Sequence, residues 1–374
     1  MNEESAFLSC FRSVGDPRMD RRKRHKLLDI LGITICAVIA GADAWTEVED
    51  YGREKRQWLE TFLSLKNGIP SHDTFGRVFA LLDPGELEEA FARWVRTLVG
   101  RLDGVVAIDG KTARRSHDGA SDKGALHVVS AWASEAGLAL GQVATDQKSN
   151  EITAIPELLG MLDIKGSLVT IDAMGCQRTI AQNILDAGAD YLLSVKGNQE
   201  RLEEDIAEEF AGAQADGFKH MKYSHFATLE KNRERIEKRE YWLTEDVGGL
   251  GTLDKWPGLE AMIMCKRSRT VGGETKTETH YYIASTGDGG AEKLGGAIRK
   301  HWGIENSLHW VLDIAFREDE SRIRAGNAQR NMALLRKLAV NLLKNDKTSK
   351  RGIKNKRLRA GWSQEYMELL LRQF

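Results

Sequence analysis

Three acidic side chains stand where their neighbours could turn them into a metal site. Asp109 closes the run VVAID, and Asp172 closes the run SLVTID 63 residues later. Both runs are short and apolar, the pattern of buried strands, so each acid is expected at a strand end. If the strands are neighbours in one sheet, both carboxylates leave the same edge. Two ionised carboxylates that close repel each other unless a cation lies between them. An all-oxygen donor set favours Mg²⁺ or Mn²⁺ over zinc. A third acid should come from a helix crossing that edge, and Glu305 fits. Ile298, Trp302, Leu308 and Leu312 form an apolar stripe, and Glu305 lies three residues after Trp302 and three before Leu308. That places it on the core-facing side of a continuous helix, where an unpaired carboxylate is costly. Each acid alone has a plainer reading. A strand-end Asp can be a turn residue, and Glu305 can pair with Arg299 or Lys300. Asp313 and Glu318 are rival third acids, Asp313 being turned by roughly 80° from Glu305.

The elements that must position these residues follow from the pattern. Residues 1–100 read as helical, with a basic run, RRKRHK at 21–26, ahead of the apolar Leu27–Ala40. Ser71 is a good N-cap for a helix carrying Phe75, Val78, Phe79 and Leu82. From residue 104 the order is strand, strand, strand, helix, strand, helix, strand, helix. The strands are Val105–Asp109, Leu126–Ala133, Leu138–Thr145, Ser167–Asp172 and Tyr191–Val195. Three strands joined by short turns pair antiparallel, and the later units cross over to add parallel strands. The expected fold is therefore α/β, a ribonuclease-H-like mixed five-stranded sheet with flanking helices. Residues 213–289 read as a mainly β insertion punctuated by glycines. One long helix is expected from Ala291 past Trp310, and another over Ala328–Leu343. The expected domains are a helical DNA-binding segment, 1–100, and a catalytic one, 101–374, with a basic tail at 344–359.

Charge and cysteines exclude several classes. Lys plus Arg, 54, balances Asp plus Glu, 55, so any nucleic-acid surface must be local. Cys10, Cys36, Cys176 and Cys265 are too scattered for a zinc motif or a disulfide framework. No stretch reads as a signal peptide or a membrane span, so a cytoplasmic protein is expected.

Four motifs carry a resemblance. They are AIDGK at 107–111, TIDAMGCQ at 170–177, LLSVKGNQ at 192–199 and HWGIENSLHWVLDIAFREDESR at 301–322. With DPR at 16–18 and DIL at 29–31, they cover nearly the whole chain. The chain resembles a DDE transposase of the H-repeat-associated insertion-sequence family. The resemblance implies that Asp109, Asp172 and Glu305 are the D, D and E and hold two divalent ions. It implies cutting of transposon ends to free a 3′-hydroxyl, then attack of that hydroxyl on target DNA. One departure is visible: related families carry a Lys seven residues after the Glu, where this chain has Leu312.

Candidate DNA contacts are Lys111, Arg114, Arg115, Lys196, Asn198, Gln199, Arg299, His301, Trp302 and Arg322, with His117 extending the basic edge. His301 and His309 read as surface or stacking histidines rather than metal ligands. The expected partners are transposon-end and target DNA, engaged by a homodimer in the nucleoid. Other readings are a structure-specific nuclease on the same fold and a domesticated DNA-binding derivative.

Overall fold

The computed structural model describes residues 6–100, 102–116, 124–145, 150–232, 234–251 and 256–374. The chain forms two compact units. One comprises Met1–Arg101, Gly110–Asn150 and Glu305–Phe374, the other Leu102–Asp109 and Glu151–Ile304. The strands are β1 (Val105–Thr112), β2 (His127–Ala133), β3 (Leu138–Thr145), β4 (Leu168–Ile171), β5 (Asp190–Val195), β6 (Ser224–Asn232), β7 (Arg235–Thr244), β8 (Ala261–Val271) and β9 (Glu274–Ala284).

In the second unit the start of β1 belongs to a mixed sheet of order β1-β4-β5-β9-β8-β7-β6. β1, β4 and β5 run parallel. Parallel neighbours need crossovers, and the helices Glu151–Gly160 and Arg178–Asp186 supply those that precede β4 and β5. All four residues of β4 are buried, as an interior parallel strand requires. β9 pairs antiparallel with β5, and β9, β8, β7 and β6 form a meander. The 213–289 segment is thus part of the sheet, because β9 completes the free edge of β5. Val105, Leu168, Leu192, Tyr241, Ile263 and Leu294 share its core. The helix Gly290–His301 packs on β6 and β7. It comes close because Gly295 has no side chain: a Cβ there would meet the Tyr241 ring at 2.8 Å.

The first unit is built round the helix Ala328–Asn345, which buries 15 of its 18 residues. It packs on β3 and on the helices Leu27–Ala40, His72–Leu81 and Pro84–Val99. Leu27–Ala40 is apolar on all sides and buries 12 of its 14 residues, the signature of a core helix. No single helix among the described residues is long and apolar enough to cross a membrane. Pro84–Val99 starts cleanly: Asp83 accepts from the Gly85 and Glu86 amides, and Pro84 fills the first position. β2 and β3 form an antiparallel hairpin with an irregularity at Ala131/Trp132. The Asn341 amide satisfies both the N–H and the C=O of Ala139 at 2.8 Å.

The single helix expected from Ala291 past Trp310 is broken. The chain forms the helix Gly290–His301, a π-helical turn at Glu305–His309 and the helix Trp310–Phe316. A π-turn inserts extra residues and resets which side chains face inward.

Candidate active site

Asp109 and Asp172 are set by adjacent parallel strands. The β1–β4 register pairs Ala107 with Thr170 and Ile108 with Ile171, so each acid is the residue that follows the last registered pair. β1 does not end at Asp109 but runs on to Thr112, whereas β4 stops at Ile171. β4 stops because the Asp172 carboxylate accepts the Met174 amide at 3.0 Å and opens a 3₁₀ turn, Ala173–Gly175. That turn lies against β4 only because residue 175 is glycine: a Cβ there would fall inside the Ile171 side chain. The loop after β5 grips the same turn. Asn198 Nδ2 donates to the Ala173 carbonyl at 2.6 Å, and Gln199 Nε2 to the Cys176 carbonyl at 2.9 Å. Thr170 Oγ1 and His301 Nδ1 lie 3.0 Å apart. Asn198, Gln199 and His301 thus brace the Asp172 strand and its turn.

Glu305 is not on a buried face. Its side chain is 55% exposed, and Trp302 is exposed too. The π-turn gives the inward positions to Ile304, Leu308 and Leu312, spaced by four. His309 is not a surface histidine: it is 3% exposed, with Nδ1 3.0 Å from Glu305 Oε2. That hydrogen bond holds the Glu305 carboxyl below its ordinary pKa, aided by Lys111 and opposed by partial burial. Spacing could have found this pair, since one helical turn separates Glu305 from His309. A carboxylate and an imidazole are both ligands for divalent metals.

Lys111 points inward. Its side chain is 13% exposed, and its ammonium lies 2.6 Å from Asp313, 3.1 Å from Glu318 and 3.3 Å from Asp319. Burial works against its charge, and the Glu318 and Asp313 carboxylates overcome this and raise its pKa. Burial also works to raise the Glu318 carboxyl, and Lys111, Lys337 and Arg336 together hold it below the ordinary value. Asp313 is raised, because burial outweighs Lys111 there. Lys111, His309, Glu318 and Lys337 line one small cavity. Both rival third acids are therefore engaged by lysine, whereas Glu305 is open to solvent.

Comparison with known proteins gives the family. Residues 100–342 match the model described as the transposase DDE domain, and residues 8–95 match the DDE_Tnp_1-associated model. The chain is 44% identical over 363 residues to YncI of Escherichia coli O157:H7, which is named as a transposase; the match covers 96% of this chain and 92% of that protein. It is 42% identical over 364 residues to YhhI of Escherichia coli strain K12, named as an H repeat-associated transposase, covering 96% and 95%.

The chain belongs to the DDE transposase family.

The resemblance read from the four motifs is borne out. This is an insertion-sequence DNA transposase, an enzyme of DNA cleavage and strand transfer from a family that uses divalent metal. Of the transposase's candidate DNA contacts, Arg114 is 84% exposed and reaches Asp319 at 3.5 Å. Arg115, Lys196, Trp302 and Arg322 are exposed as well. Arg299 donates to Glu230 at 3.2 Å. His117 lies outside the described residues. Part of the basic tail has structural work. Lys356 Nζ donates to the Leu343 and Asp346 carbonyls at 2.8 and 2.7 Å, and buried Arg357 bonds the Ala315 and Val38 carbonyls.

Proposed function

We propose that Asp109, Asp172 and Glu305 are the catalytic acids of this transposase and hold two divalent ions, Mg²⁺ or Mn²⁺. The observation that carries this reading is the register Ile108↔Ile171, which makes Asp109 and Asp172 successive neighbours on parallel strands. Glu305 is supported as the third acid by its ionised, solvent-open carboxylate. Asp313 and Glu318 already neutralise Lys111. The donors suit the metal, because hard carboxylate oxygens are what Mg²⁺ and Mn²⁺ prefer. When bound, the ions neutralise charge at the scissile phosphate and lower the pKa of the attacking hydroxyl.

The chain's own residues then position the acids. His309 fixes the rotamer and ionisation of Glu305. Asn198 and Gln199 hold the turn that begins at Asp172. Lys111 anchors the segment 313–319 that follows Glu305. This is catalysis by preorganised charge, with no covalent protein intermediate. The strands β1–β5 make up the ribonuclease-H-like core in this reading, because a β2–β3 hairpin is followed by parallel strands joined through helices. Residues 1–100 serve as the DNA-binding segment. Arg114, Arg115, Lys196, Arg299, Trp302 and Arg322 contact DNA, and the active form is a homodimer on two transposon ends in the nucleoid.

Incubation with DNA carrying the element's own termini tests the reading. Cutting that needs Mg²⁺ or Mn²⁺ and leaves a 3′-hydroxyl is expected, and a pre-cut end should be joined to target DNA. Cutting without joining would make the protein a nuclease alone.

A further inference from the structure

We propose that the arginine-lined end of the β6–β9 meander binds the phosphate backbone of duplex DNA. The proposal rests on DNA being the substrate, and it extends the DNA contact already proposed at Arg299 onto the face of the meander.

Along β7, Arg235, Glu237 and Arg239 alternate onto one face of the sheet. The register sets Arg267 opposite Arg239 and Arg269 opposite Glu237. On β6, Glu230 lies opposite Glu237. The same face carries Tyr241, on which the helix Gly290–His301 packs through Gly295. From the last turn of that helix, Arg299 reaches Glu230 at 3.2 Å. On β9 the same face adds Glu274, Lys276 and Glu278, opposite Val271, Arg269 and Arg267. Five arginines and one lysine therefore stand among four glutamates, a local excess of positive charge in a chain whose net charge is −1.

The cluster is not a set of matched ion pairs. Arg235, Arg239 and Arg267 all converge on the one buried carboxylate of Glu237, and Glu230 is shared by Arg239, at 3.3 Å, and Arg299. A guanidinium carries five N–H donors, whereas a carboxylate accepts about four hydrogen bonds. Donors are left over: Arg267 Nε is buried with no hydrogen-bond partner among the described residues. Arg239 and Arg267 are like charges directly opposed across two strands, an arrangement that destabilises a sheet. Desolvation and the neighbouring arginines push the Arg235 pKa below its ordinary value. Arg235 is 41% exposed and Arg299 47%, so the outer guanidiniums of the cluster, unlike the buried Arg267 Nε, reach solvent.

A surplus of planar, always-charged donors fits an anion with many oxygens. Arginine matches phosphate with two parallel hydrogen bonds, which lysine cannot do. The charges are spread over two strands and a helix end, so they form a patch rather than one pocket. A polyanion meets such a patch better than a free ion does. Phosphate contacts hold register and carry no sequence preference, so this surface should add affinity for any duplex.

The test is fluorescence anisotropy of the full chain on duplex DNA at several salt concentrations, with terminal and unrelated sequences. The variants are Arg235→Gln/Arg269→Gln and, on the opposite face, the control Lys231→Gln/Lys238→Gln. Removing one phosphate-binding charge should lower the slope of log affinity against log salt by about 0.9. The arginine pair should therefore reduce the slope by about 2 on both sequences, and the control by less. Arg269→Lys, which keeps the charge, should retain most of the slope, and a denaturant midpoint of the arginine pair equal to wild type excludes misfolding as the cause. An unchanged slope in the arginine pair overturns the proposal. Unchanged DNA binding with lost self-association in sedimentation also overturns it, in favour of a second copy as the occupant. If wild type itself fails to bind DNA, the DNA-acting reading fails with it. If wild type cuts its ends and the pair keeps its slope, only this proposal fails.

Discussion

His309 Nδ1 lies 3.0 Å from Glu305 Oε2, joining the solvent-open acid to a buried imidazole within one π-helical turn. Groups that hydrogen-bond a metal-binding carboxylate fix its orientation, and losing one costs roughly 10–100-fold in metal affinity or activity. His309→Ala should weaken the Mg²⁺ and Mn²⁺ dependence of cleavage by about that factor. Affinity for DNA in the absence of metal should be unchanged. A metal titration of cleavage identical to wild type would remove His309 from the account.

Lys111 is expected to act through structure rather than through DNA. Its ammonium answers Asp313, Glu318 and Asp319, so Lys111→Met removes the nearest cation from the buried Glu318 and from the part-buried Asp313. Breaking a buried pair from one side costs about 3–5 kcal/mol, so a large fall in the denaturant midpoint is expected. Lys111→Arg should recover part of it. A Lys111→Met protein of normal stability with a shallower salt slope for DNA would return the residue to the DNA-contact set.

The turn after Asp172 should tolerate no side chain at 175. Gly175→Ala drives a methyl group into Ile171, and overpacking of this kind costs about 1–3 kcal/mol. Cleavage should fall further than stability does, because the displaced turn begins at Asp172. Asn198→Ala should also lower cleavage while leaving the melting temperature nearly unchanged. Equal, full activity in both variants would contradict the bracing role.

Lys337 and Lys344 should contribute a stabilisation that grows with pH over a defined window. Burial, opposed by Glu318 and Glu88 and aided by Lys111 and Arg336, lowers the Lys337 pKa to about 8 from 10.5. Burial lowers Lys344 to about 8 as well. Between pH 8 and 10.5 the unfolded chain binds more protons at these lysines than the folded one. The contribution of these two lysines to stability therefore rises with pH across that window, opposed above about pH 9 by the buried thiols of Cys36, Cys176 and Cys265, which burial raises. Below it both states are protonated and the penalty is fully present. Lys111, raised instead of lowered, loses its contribution only as pH climbs above the ordinary lysine value. Urea denaturation of wild type and Lys337→Met at pH 8 and pH 10 checks this. From pH 8 to pH 10 the wild type should gain stability relative to Lys337→Met; a difference that stays constant or moves the other way would contradict the sign.

The legible parts of the chain are those where burial and periodicity agree. The strand read at Leu138–Thr145 is β3 to the residue, and Ser167–Asp172 brackets β4, because buried strands must be apolar. In the meander only the core-proximal halves carry an apolar pattern. β8 begins AMIMC and ends KRSRTV, and β9 starts with six exposed residues, so these strands extend beyond what apolar residues mark. β6 is hidden for the same reason: almost all of its residues face water at least in part. The acids Asp109 and Asp172 are legible from their strand contexts. The setting of Glu305 is not, because a 3.6-residue period cannot announce a π-turn. The role of Lys111 is hidden because its partners lie about 200 residues downstream.

Cleavage of terminal DNA by single-acid variants tests the central claim most directly. Asp109→Asn, Asp172→Asn, Glu305→Gln and Asp313→Asn would be compared with wild type in Mg²⁺ and in chelator, with DNA binding measured in parallel. The first three should abolish cutting and strand transfer and keep DNA affinity, and chelator should silence wild type. Asp313→Asn, which removes only one of the carboxylates facing Lys111, should retain measurable cutting. Cleavage that survives in Glu305→Gln and vanishes in Asp313→Asn would contradict the assignment of the third acid. Cleavage that survives in Asp109→Asn or Asp172→Asn would contradict the account as a whole.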